Sequence, residues 1–139
     1  MKNRFISGVM GIAAGLLIAG GPQFLFKLCG PADDGTWMRC RWTGQAEIGA
    51  GALIAALGIA HLLYSSPGVR MGFSAALSLS GILAFTIPRF LIGGCGNEMM
   101  PCRMITFPAI YVISVLTSVG FAANAAYLNA IRRKGDPLR

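Results

Sequence analysis

The chain has 139 residues, 55% of them hydrophobic and only 12% charged, with a formal net charge of +7 at pH 7. Together with a mean hydropathy of +0.63, this composition excludes an ordinary soluble domain. The basic residues flank apolar stretches and do not form a stripe interleaved with aromatics, which excludes a nucleic-acid-binding surface.

The first apolar stretch, Phe5–Phe26, follows Lys2 and Arg4. It is too long for a secretory signal and lacks an A-x-A-like cleavage site. Lys27 also stands where a lipoprotein signal before Cys29 would carry a small residue. The stretch therefore reads as the first of four membrane helices, the others being Ala46–Tyr64, Met71–Ile92 and Met104–Leu128; each reaches or approaches the roughly 20 residues that cross a hydrocarbon core. Gly11 and Gly15 make a G-x-x-x-G step on the first helix, a spacing that lets two helices approach closely. Pro22, near that helix's far end, predicts a kink, because proline lacks a donor and crowds the carbonyl four residues earlier. Gln23 lies beside it as a polar candidate for the site beneath the loops.

Next comes a motif that occurs twice. Pro22, Phe24, Leu25, Cys29 and Gly30 return 66 residues later as Pro88, Phe90, Leu91, Cys95 and Gly96. Each copy is followed by Met-x-Cys-Arg, as Met38, Cys40 and Arg41 and then as Met100, Cys102 and Arg103. The same offset pairs Arg4 with Arg70, Gly15 with Gly81 and Leu17 with Leu83. The chain reads as a tandem duplication of a helical hairpin, with repeat 1 over about 4–65, repeat 2 over about 70–128 and a basic tail over 129–139. Because each repeat holds an even number of spans, both copies share one orientation and are related about the membrane normal. The expected fold is an all-α four-helix membrane bundle with both termini on one side. The second and fourth helices correspond less well: Tyr64 follows Cys40 by 24 residues and Tyr127 follows Cys102 by 25.

Lys and Arg place that shared side in the cytoplasm, where Lys2, Arg4, Arg70, Arg132, Arg133, Lys134 and Arg139 outnumber Lys27, Arg39, Arg41, Arg89 and Arg103 outside. All four cysteines then lie outside, where disulfides persist. Four cysteines allow three connectivities, and the duplication favours Cys29–Cys40 with Cys95–Cys102. Closing each short loop would contribute on the order of 3 kcal/mol by restricting the unfolded chain.

Three chemistries compete for these cysteines. Structural disulfides are the first expectation. A soft-metal site is the second: Cys29, Met38, Cys40, Cys95, Met100 and Cys102 combine thiolate and thioether ligands suited to Cu(I), with Met99 and Met104 nearby. Thiol redox chemistry is the third, although the spacings are wider than C-x-x-C. Glu47, Arg89, Arg103 and Gln23 form a candidate polar or ligand site below the loops, with ion pairing or capping as the plainer role for Glu47 and Arg89. His61 and Asn124 sit at matching places on the second and fourth helices, which an interhelical hydrogen bond explains. Trp37 and Trp42 fit interfacial anchoring or a partner surface. Small residues recur every four positions on the third helix (Gly72, Ala76, Ser80, Ala84) and the fourth (Ser114, Ser118, Ala122, Ala126). No nucleotide, metalloprotease or nucleophile-elbow motif is present, so no enzymatic activity and no cofactor are expected.

The segment Cys29-Gly30, then Trp37-Met38-Arg39-Cys40-Arg41-Trp42-Thr43-Gly44-Gln45-Ala46-Glu47, followed by a glycine-rich helix and a second Met-x-Cys, resembles a family of small four-span prokaryotic membrane proteins known as domain of unknown function 4418. The resemblance covers nearly the whole chain; Arg41 departs from it, since the family often carries histidine there, which counts against a metal. It implies a multi-pass protein of the prokaryotic plasma membrane, found beside exporter-type ABC permeases and ATPases. The expected function is accordingly a non-enzymatic structural or accessory subunit, partnered by lipid, by other membrane subunits or by its own copies. Metal or small-ligand transport and thiol oxidoreduction are the alternatives.

Overall fold

The computed structural model describes residues 2–25, 30–31, 33–94 and 96–135. Four α-helices carry the chain: α1 (Lys2–Gly20), α2 (Arg39–Leu63), α3 (Pro67–Thr86) and α4 (Phe107–Gly135). Three single turns of π-helix extend them: π1 (Gly21–Leu25) continues α1, π2 (Ile87–Leu91) continues α3, and π3 (Cys102–Thr106) leads into α4. The combined segments Lys2–Leu25, Arg39–Leu63, Pro67–Leu91 and Cys102–Gly135 are each long and apolar enough to cross a membrane. The side chains pointing outward suit lipid, with Leu16, Phe24, Leu79, Phe90 and Leu116 more than half exposed, as expected where the solvent is hydrocarbon.

The tightest packing joins α1 to α2 and α3 to α4. It follows from missing side chains. A Cβ on Gly51 would stand 2.6 Å from the Gly15 carbonyl oxygen, and one on Gly15 would stand 2.6 Å from that of Gly51. One turn pair further along, a Cβ on Gly58 would come within 2.7 Å of the Ile12 nitrogen. In the other hairpin a Cβ on Gly81 would meet the Ser118 nitrogen at 3.0 Å and the Ser114 oxygen at 3.1 Å. The expected G-x-x-x-G step is thus used inside the hairpin, against glycines of α2. Ile18, Ala50, Ile54, Leu77, Ala84, Ile87 and Phe121 fill the core where the four helices meet.

Two span starts are corrected in detail, and the prolines of the first and third spans take a form that hydropathy does not show. Both prolines stand in π turns: the wider turn relieves the clash with the preceding carbonyl, and Pro22 and Pro88 are buried there. α2 starts at Arg39, seven residues before the apolar run at Ala46, because Cys40, Thr43, Gly44 and Glu47 share one buried face while Arg39, Arg41, Trp42 and Gln45 stay exposed. The fourth span likewise starts at Cys102 and not at Met104.

Candidate functional site

The α1–α2 and α3–α4 connections meet at one end of the bundle, and both Met-x-Cys-Arg motifs take the same local form there. The Arg41 amide donates to the Met38 carbonyl at 3.0 Å, and the Arg103 amide donates to the Met100 carbonyl at 3.0 Å. Each motif so begins a helical turn whose cysteine points inward. Cys40 and Cys102 are fully buried and pack together, with Met38 and Met100 packed against them. Four sulfur-bearing side chains, two from each half of the chain, converge on one spot. Cys29 and Cys95, the other members of the expected disulfides and of the alternative metal set, lie outside the described residues. Among the described residues, no three of His, Cys, Asp and Glu come together as a metal would require.

A layer of polar groups lies one to two helical turns below. Thr43 and Thr106 are both buried beneath their cysteines. The Thr43 hydroxyl donates to the Gly93 carbonyl at 2.7 Å, pinning the α3–α4 connection onto α2. Gly93 has φ +78°, a conformation that favours glycine, and a Cβ on Gly94 would overlap the Phe107 ring. Glu47 is fully buried, and among the described residues neither carboxylate oxygen has a hydrogen-bond partner; the Thr106 and Ser114 hydroxyls are also buried without one there. Glu47 sits eight residues into α2 and so does not cap it. A buried, unpartnered carboxyl is costly and marks this layer as the part of the core least explained by packing.

The rest of the expected polar set is dispersed. Arg103 forms an ion pair with Glu98 at 3.5 Å, Arg89 is exposed and Gln23 is exposed on π1. Trp37 and Trp42 are 50% and 61% exposed, and the Arg41 guanidinium stacks 3.7 Å above the Trp37 ring. In the neighbouring loop the Thr36 hydroxyl and amide both donate to Asp34 at 2.7 and 3.1 Å, holding that carboxyl below its usual range.

The opposite end, which carries the chain termini, holds a second polar cluster that ties all four helices. His61 (α2) contacts the Ser7 hydroxyl (α1) at 3.4 Å and the Ser74 hydroxyl (α3) at 3.2 Å. Asn124 (α4) donates to Ser74 at 2.8 Å and accepts from Asn3 (α1) at 3.2 Å. The matched His61 and Asn124 are thus both in interhelical hydrogen bonds, joined through Ser74. Between α1 and α4 runs a membrane-facing groove of about 530 Å³, floored by small residues such as Ala13, Ala14, Gly120 and Ala123.

No curated protein and no solved structure matches the chain. One family model does, over residues 11–128: the chain belongs to the family described as a domain of unknown function, DUF4418.

Proposed function

We propose that this DUF4418 protein is a non-enzymatic accessory subunit, a duplicated hairpin that engages a larger membrane complex, such as an ABC-type exporter, through its cysteine end. The observation carrying this reading is the exposed Trp37–Arg41–Trp42 face mounted directly on the buried Cys40 turn. Tryptophan and arginine are the side chains that most often dominate interface energetics, and here they project from a turn fixed by a buried residue. The setting in a prokaryotic plasma membrane, with this face outside, belongs to the same proposal. Photo-crosslinking from positions 37 and 42 in native membranes should yield one defined adduct with a permease subunit. Trp37→Ala/Trp42→Ala should cut co-purification about tenfold without lowering thermal stability. Recovery of the wild type alone after mild solubilisation, with no adduct, would sink the idea.

A second reading is favoured by the convergence of Cys40, Cys102, Met38 and Met100: in its reduced form the protein holds a Cu(I) ion between the two halves. Reduced protein should then take up one equivalent in competition with a chelator, and Cys40→Ser/Cys102→Ser should abolish uptake. Thiol trapping followed by mass spectrometry of the four cysteines separates this reading from structural disulfides.

A further inference from the structure

We propose that Arg4 and Arg70 form a binding site for a phosphate group at the end of the bundle that carries the chain termini. The site is independent of the cysteine end and of the accessory role proposed for it.

The two arginines stand 66 residues apart on α1 and α3, and folding brings both to the α2–α3 connection, where the Arg4 guanidinium bonds Ser65 and the Arg70 amide donates to the Ser66 carbonyl at 3.0 Å. Two like charges held together in a partly buried setting are unfavourable unless something negative joins them. The protein supplies nothing of that kind among its described residues: Asp33, Asp34, Glu47 and Glu98 all belong to the cysteine end or its half of a helix, while Lys2, Arg132, Arg133 and Lys134 add positive charge to the arginines' own end.

The nitrogen inventory is more specific. Among the described residues, Nε and Nη2 of Arg70 are buried and have no hydrogen-bond partner, and neither has Nε of Arg4. Nε and Nη2 form one edge of the guanidinium fork, with two parallel N–H groups spaced to meet two oxygens of a phosphate. Arg4 is held beside it by an Nη1 donation to the Ser65 hydroxyl at 2.6 Å. Orphaned buried donors are expensive, and three of them on two arginines at the same connection call for an acceptor. α3 begins at Pro67, three residues before Arg70, with no side chain capping its first turn, so its positive end adds to the same attraction. A carboxylate would answer the charge, but a tetrahedral phosphate has oxygens for both guanidiniums. At the rim of a membrane helix bundle it comes either from an anionic lipid headgroup or from a soluble phosphate ester.

The full-length protein in nanodiscs tests this. Wild type, Arg4→Gln/Arg70→Gln, and Arg132→Gln/Arg133→Gln as a charge-matched control would be compared by native mass spectrometry in phosphatidylcholine discs doped with phosphatidylglycerol. The expected result is retained phosphatidylglycerol on wild type and control, reduced at least tenfold in the Arg4/Arg70 variant. Inorganic phosphate titrated into pure phosphatidylcholine discs forms the second arm. Phosphate binding there, together with loss of phosphatidylglycerol when phosphate is added to the doped discs, would assign the site to a soluble ligand, and retention of phosphatidylglycerol without phosphate binding would assign it to the headgroup. Should the glutamine variant fail to fold, Arg4→Lys/Arg70→Lys keeps the charge but loses the forks and should still lose binding about tenfold. Equal retention by wild type and a folded Arg4/Arg70 variant in both arms would overturn the proposal.

Discussion

Gly51 and Gly120 are both helical glycines, yet they have opposite roles. Gly51 lies where α2 crosses α1 against the Gly15 carbonyl, whereas nothing stands near a Cβ added to Gly120. Gly51→Ala should therefore destabilise the bundle by about 1–3 kcal/mol through overpacking. Gly120→Ala should leave stability unchanged or raise it by up to about 1 kcal/mol, since alanine is the better helix former. Thermal unfolding in detergent, followed by size-exclusion of the surviving monodisperse fraction, would separate the two. Ser74 poses the same kind of question for polar groups. As the shared partner of His61 and Asn124, its replacement by alanine should cost about 1 kcal/mol, in line with interhelical hydrogen bonds in membranes. The pairing of His61 with Asn124 was legible in the sequence because both residues are polar and stand at matching places in apolar helices. Ser74, Ser7 and Asn3 were not, since small polar residues are too common in membrane helices to stand out. Glu47 was legible as a candidate but not as a buried one. Its depth depends on α2 beginning seven residues before the apolar run, and hydropathy cannot register an interfacial turn with one buried face.

The π turns account for the one irregularity in the spacing of the recurring motifs. π1 and π2 begin 66 residues apart and each carries its proline second. π3 has no counterpart at the start of α2, which is α-helical from Arg39. That difference matches the additional residue between Cys102 and Tyr127 compared with Cys40 and Tyr64, because a π turn holds one more residue than an α turn. From the last residue of π3 onward the buried positions of the two helices run 63 apart: Thr43 with Thr106, Glu47 with Ile110, Gly51 with Ser114, Ile54 with Thr117 and Gly58 with Phe121. The extra residue is absorbed before the packed face begins. Deleting the exposed Met104 should thus convert π3 to an α turn and leave α4 in register, at a cost below about 2 kcal/mol. Deleting Val112, exposed on α4 itself, should rotate one part of the helix by about 100° against the other and prevent folding. Comparable yields of monodisperse protein from both deletions would contradict this account. The sequence revealed the one-residue offset, but a helix type set by hydrogen-bond register leaves no compositional trace.

Net positive charge and the described cysteines lie at opposite ends of the molecule, and that asymmetry makes its orientation testable. Lys2, Arg4, Arg70 and the Arg132–Lys134 run lie at the terminal end, and every described cysteine lies at the other. Basic residues near span ends are retained on the cytoplasmic side, so fluorescent protein fused to the C-terminus should fluoresce, and alkaline phosphatase fused there should stay inactive. A phosphatase inserted after Gly96 should be active. The pattern decides more than topology. It would place Cys40 and Cys102 where disulfides survive and would put the Arg4–Arg70 pair against the leaflet whose anionic lipids attract basic residues. The reverse pattern would leave Cys40 and Cys102 facing a reducing compartment, where stable cross-links are rare, and would shift their chemistry from structural disulfides toward soft-metal binding.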